Sequence, residues 1–190
     1  DISKIDFELL SREFAHTRRK NLLLRDLDEL VNQQLAKMLF ANPQRIDYYD
    51  RYQEIIDAYN AEQNRATIEK TFMDLMELAS SLDTEQQRYV REGFSSDEEL
   101  SVYDLLFSEN LTKQEIETIK KVSVDLLTKI KQQIAKLDHW TDKQETKAIV
   151  DNLIRNTLWQ ELPNSYDVSD IQTYQKKIYE YVYMRYPEVA

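Results

Sequence analysis

A single glycine, Gly93, and three prolines in 190 residues constrain this chain more than any other feature. Loops that cradle phosphates need glycine where the backbone takes a positive φ or must approach a ligand closely. Neither G-x-G-x-x-G nor G-x-x-x-x-G-K-[ST] can be written with one glycine, so nucleotide binding within this segment is disfavoured. Hairpins would also lack their usual turn residues. A substantial sheet is therefore not expected, and the remaining class is all-α. A chain of this length can bury roughly 70% of the surface its unfolded form exposes, so it needs no covalent staples.

Apolar residues recur at helical spacing almost throughout. Phe7, Leu10 and Phe14 mark a first helix. Leu24, Leu27, Val31, Leu35 and Met38 mark a second, which should stop near Ala41 because Pro43 restricts the residue before it. Further stripes run through Tyr48–Tyr59 and Ile68–Ala79, the latter followed by an expected turn near Ser81–Thr84. Glu98–Phe107 reads as a short helix and Ile116–Leu137 as a long one. Ala148–Leu158 and Ile171–Tyr181 complete a bundle of about seven to eight helices. Four capping boxes are expected, at Ser96/Glu99, Thr112/Glu115, Thr141/Gln144 and Ser169/Gln172, where hydroxyl and N3 side chain each satisfy an orphan N–H. Gly93 and the following Phe94-Ser95-Ser96 are the best boundary between two lobes, 1–94 and 95–190. No Gly/Ser linker intervenes, so the lobes are expected to pack together.

The net charge of −10 is unevenly placed. Residues 46–108 carry 5 bases against 15 acids, which is the whole excess. Affinity for DNA comes mainly from neutralising phosphates with Lys and Arg, so dominant DNA binding is disfavoured. With no cysteine there is no disulfide framework and no thiolate chemistry. That fits a reducing cytoplasm, the expected location. No run approaches the ~20 apolar residues of a membrane span. The first residue is Asp1 and helical patterning begins at once, so the chain reads as cut from a longer polypeptide.

The stretch "QIAKLDHWTDKQETK" (Gln133–Lys147) holds the most suggestive chemistry. Glu145-x-Lys147 is the weak half of a nuclease signature that normally sits on a sheet with a further aspartate upstream. Two residues apart on a helix, these side chains point to different sides, and a solvated helix start is the better reading. Asp138 and His139 are adjacent and imply no nucleophile. His16 stands alone, and no repeated ligand spacing suggests a metal. Asp138–Trp140 therefore reads as a corner between helices, with Trp140 stapled onto the first turn near Glu145. The basic run Arg18-Arg19-Lys20 is the candidate nucleic-acid contact. Twelve tyrosines are unusual. Ile171, Tyr174, Ile178 and Tyr181 should face the core, while Tyr179, Tyr183 and Tyr186 form a second stripe. Together with Trp140 they are the candidate partner-docking residues, since tyrosine is rigid, large and polar at its tip.

The stretches "NPQRIDYYDRYQEIIDAYN" (Asn42–Asn60) and "RATIEKTF" (Arg65–Phe72) resemble the C-terminal part of the R subunit of type I restriction–modification enzymes. The likeness extends to "LSVYDLLF" (Leu100–Phe107), "LDHWTDKQETKAIVDNLIRNTLW" (Leu137–Trp159) and "VYMRYP" (Val182–Pro187). The resemblance implies a parent subunit that is an ATP- and Mg-dependent DNA translocase and endonuclease, with an N-terminal nuclease domain and two helicase-like motor domains. It implies that this segment follows those domains and helps attach them to a methyltransferase core of modification and specificity subunits. No catalytic, metal or cofactor residue of the parent carries over to a position here. The expectation is a non-catalytic assembly module whose partners are that core and the motor domains of its own chain, with Leu137–Pro187 as the contact region. A helical nucleic-acid-binding module supporting the motor's grip is the alternative.

Overall fold

Several helix starts in this chain are set by side chains that accept the first free N–H groups. Asp6 accepts from Leu9, Asn64 from Thr67 and Ser96 from Glu99. The structure, a computed structural model, describes residues 2–187. It is 80% helical, and nine α-helices and no strand occur among the described residues. The chain divides into two compact units, Asp1–Arg91 and Glu92–Ala190.

The first unit contains α1 (Phe7–His16), α2 (Lys20–Ala41), α3 (Ile46–Ala61), α4 (Arg65–Gln86) and the single turn α5 (Arg88–Arg91). Helices α2 and α3 both pack on α4. Leu27, Val31 and Leu35 of α2 meet Phe72, Leu75, Leu78 and Leu82 of α4 in the core, with Tyr52 and Ile55 from α3. Phe14 of α1 stacks flat on Phe72, ring centroids 3.7 Å apart. As expected, α2 ends at Ala41, before the turn that Pro43 opens. The expected break near Ser81–Thr84 does not occur. Ser81 and Thr84 return their hydroxyls to the carbonyls of Glu77 and Ser80, and the burial of Leu82 carries α4 on to Gln86. Arg45 and Glu85, both buried, pair at 3.0 Å, and Arg88 joins the same carboxylate at 2.9 Å.

In the second unit, α6 (Asp97–Leu106), α7 (Lys113–Ile134), α8 (Gln144–Glu161) and α9 (Val168–Arg185) each pack on the next. Helix α6 also meets α9, so the four close around one core. Leu100, Leu106, Ile119, Leu126, Ile130, Ile154, Leu158 and Ile178 are sealed inside it. Gly93 has φ +83°, and a Cβ there would meet nothing within 4 Å. Backbone conformation alone therefore calls for glycine at this position.

Only Thr112/Glu115 forms the complete capping box that its pattern suggests. Ser96 caps Glu99, but the Glu99 carboxylate reaches back to the N–H of Ser95, at 2.7 Å. Thr141 caps nothing: α8 opens later, at Gln144, behind an N-cap Lys143 that makes no side-chain bond. The fourth box shifts two residues upstream, where Asp167 and Asp170 exchange bonds instead of Ser169 and Gln172. Aspartate caps as well as serine, and its earlier position starts α9 at Val168.

Candidate docking surface

The corner between α7 and α8 is built around Trp140. Helix α7 ends at Ile134, and His139 takes φ +45° so that its carbonyl receives the Asp142 N–H at 3.0 Å. This tight turn drives Trp140 inward to 1% exposure. Its indole N–H donates to the Tyr186 carbonyl at 2.6 Å. Its ring stands edge-on to Tyr179 and Tyr183 of α9, with centroids 6.2 and 5.7 Å away. The expected staple onto the first turn of α8 is thus replaced by a clamp on the end of α9. Tyr186 lies just past α9 as its C-cap, and its buried ring stands T-shaped on Tyr181. The Lys131 ammonium lies 5.3 Å from the centroid of that ring.

The four candidate docking residues therefore separate. Trp140 and Tyr186 hold the interior together and have almost no side-chain surface to give a partner. Tyr186 leaves the expected stripe because the helix stops at Arg185 and the chain turns its ring inward. Tyr183 is exposed, with the Lys147 ammonium 5.8 Å above its ring. Tyr179 is half-buried beside it. Burial, and then the charges of Asp151 and Tyr183, raise the Tyr179 phenol above its ordinary pKa. Tyr179 also lines a groove of about 550 Å³ between α8 and α9, with Lys147 and Asp151 on one wall and Gln175 and Lys176 on the other.

The outer face of α8 adds residues that the tyrosine pattern did not point to. Ile149 and Trp159 are 42% and 48% exposed. They share a helical face with the exposed Asn152, Asn156 and Gln160. In a chain 32% charged, this three-turn stripe carries no charge, and Arg155 at its flank donates to Asn152 at 2.8 Å. The signal was legible: Ile149, Leu153, Asn156 and Trp159 form a register offset from the core stripe Val150, Ile154 and Leu158.

Arg18 and Arg19 are exposed in the link between α1 and α2, and neither forms an ion pair among the described residues. Lys20 is committed within its own unit, 4.4 Å over the Phe14 ring and 3.3 Å from Glu69. Hydrogen bonds from Arg65 and then Lys20 hold the Glu69 carboxyl below its usual pKa. Glu145 and Lys147 occupy the first turn of α8, where Glu145 is exposed and Lys147 turns toward Tyr183. Asp138 and His139 approach to 3.7 Å at the surface. The His16 Nδ1 lies 2.8 Å from the Arg12 carbonyl oxygen one turn back. Among the described residues, no group of three or more His, Cys, Asp or Glu side chains is placed to hold a metal ion, and no helix is long and apolar enough to cross a membrane.

No curated protein and no solved structure matches the chain. A family model does, over residues 1–186: type I restriction enzyme HindI endonuclease subunit-like, C-terminal. With nearly the whole sequence matched, the chain belongs to that family of C-terminal domains of type I restriction endonuclease subunits.

Proposed function

We propose that this domain is a non-catalytic assembly module, attaching the ATP-driven motor–nuclease subunit to the methyltransferase core of modification and specificity subunits. Held in this way, the motor would draw DNA past a stationary recognition complex. The observation that carries the reading is the uncharged stripe of Ile149, Asn152, Asn156, Trp159 and Gln160 on α8, bordered by Glu145 and Arg155, with Ile149 and Trp159 exposed on it. The centres of protein interfaces are depleted in charge, and tryptophan is prominent among the few side chains that dominate binding. Membership in a family of C-terminal subunit domains supports it, because attachment needs no catalytic group.

The test is co-elution of the purified domain with the methyltransferase core. Ile149→Glu and Trp159→Glu, both at exposed positions, should each weaken the complex by about tenfold or more while helical content stays unchanged. The reading fails if the domain does not co-elute under conditions where the whole subunit assembles. A second reading, DNA grip, draws on Arg18 and Arg19, which stand exposed and without ion pairs among the described residues. It requires a gel shift that weakens steeply with salt, against the acidic excess of residues 46–108.

A further inference from the structure

Several lysines of the second unit that reach across to another segment end on a carboxylate: Lys120 on Glu92, Lys129 on Glu161 and Lys131 on Glu98. The groove between α8 and α9 departs from that habit. Lys147, on the α8 wall, forms no ion pair among the described residues and rests over the Tyr183 ring. Lys176, on the α9 wall, pairs among the described residues with Glu180 on its own helix, at 3.9 Å and with both side chains largely exposed. So long and wet a pair contributes little and yields readily to a better-placed carboxylate. Among the described residues Asp151 is the one acid lining the groove, and the Gln175 side-chain amide already donates to it at 2.9 Å. Gln144 and Gln172 bring further amides, each able to donate and accept, as a peptide main chain requires. Ala148 and Tyr179 supply apolar floor.

We propose that this groove receives an acidic peptide segment of the partner, placing its carboxylates on Lys147 and Lys176 and an apolar side chain against Tyr179. Charge complementarity selects the occupant: two cations on opposite walls face one acid that is already engaged. DNA fits less well, since its affinity grows with the number of phosphates neutralised and only two cations line the groove among the described residues. The groove and the uncharged stripe of α8 belong to the same helix, Ala148 lining the one and Ile149 standing on the other. The proposal rests on the assembly reading and specifies the chemistry of its partner.

The experiment uses the whole subunit carrying this domain, mixed with the purified methyltransferase core and treated with a zero-length carbodiimide. That reagent joins a lysine amine only to a carboxylate in contact with it. Mass spectrometry should find Lys147 and Lys176 linked to Asp or Glu residues of the core. The double variant K147E/K176E should weaken assembly by about tenfold or more, and K147Q/K176Q by less, with helical content unchanged in both. If the complex forms, carries no such links and assembles equally well with K147E/K176E, the groove proposal is overturned while the assembly reading survives. If the lysines protect a DNA duplex instead, and the variants lose DNA affinity but not the core, it is overturned in favour of nucleic acid. If the wild-type subunit does not bind the core at all, both readings fall together.

Discussion

Trp140 joins three separate pieces of the second unit: the α7–α8 corner, the face of α9 and the residue that ends α9. Its indole N–H satisfies the Tyr186 carbonyl, and Thr146 returns its hydroxyl to the Trp140 carbonyl at 2.7 Å. A buried acceptor that loses its donor costs about 1–3 kcal/mol, so Trp140→Phe should lower unfolding free energy by that amount. Trp140→Ala, which also empties the site, should cost about 3–5 kcal/mol. Denaturant titration of the two variants checks this. A Phe variant as stable as the wild type would mean that the bond to Tyr186 contributes nothing. The sequence flagged Trp140 correctly as the centre of a corner, but not the direction in which it faces. That depends on His139 adopting a left-handed backbone and on α9 lying within reach, and neither is a property of local spacing.

The quality of helix starts differs sharply between neighbouring elements. Helix α7 has a complete capping box, and the backbone bond from Thr112, then bonds from the Ser165 and Thr112 side chains, hold the Glu115 carboxyl below its usual pKa. Helix α8 begins with Lys143 as an uncapped N-cap, a cation at the positive end of the helix dipole. Thr112→Ala should therefore destabilise by about 1 kcal/mol. Lys143→Asp should stabilise by about 0.5–1 kcal/mol, through a new cap and a better charge. Thermal melts of the pair test the contrast, and a destabilised Lys143→Asp would show that Lys143 serves something other than the helix. Because the Glu115 pKa is depressed, its contribution is present above the ordinary carboxylate range and is lost as pH falls through the lowered value. Glu115→Gln should remove that part of the acid sensitivity. The positions of the helices were largely readable from apolar periodicity and from the prolines. Cap positions were less so, because Asp167 competes with Ser169 for the same helix end and packing around Trp140 displaces the start of α8.

Across the whole molecule, a subset of buried tyrosines couples stability to alkaline pH. Burial raises the phenols of Tyr52, Tyr166 and Tyr186 above their ordinary pKa, helped at Tyr52 by its bond to Asp28 at 2.7 Å. A raised phenol keeps its proton in the folded state while the unfolded chain sheds it. That stability is complete below about pH 10, the ordinary tyrosine range, and declines as pH climbs through and above it. A titration followed at 295 nm should show part of the tyrosinate signal appearing only together with loss of the helical signal. Complete ionisation with the helices intact would contradict the burial described here.

Glycine scarcity, helical periodicity and the segregation of acid into residues 46–108 are properties of local sequence, and they were enough to specify an all-α chain without a phosphate loop. The family likeness was legible for a related reason: its stretches are extended helical patterns, written residue by residue. Which aromatic side chains are interior and which meet solvent was decided only by tertiary structure. Exposure depends on what lies opposite, and one turn of backbone at His139 and one helix end at Arg185 send Trp140 and Tyr186 inward while leaving Tyr183, Ile149 and Trp159 outside.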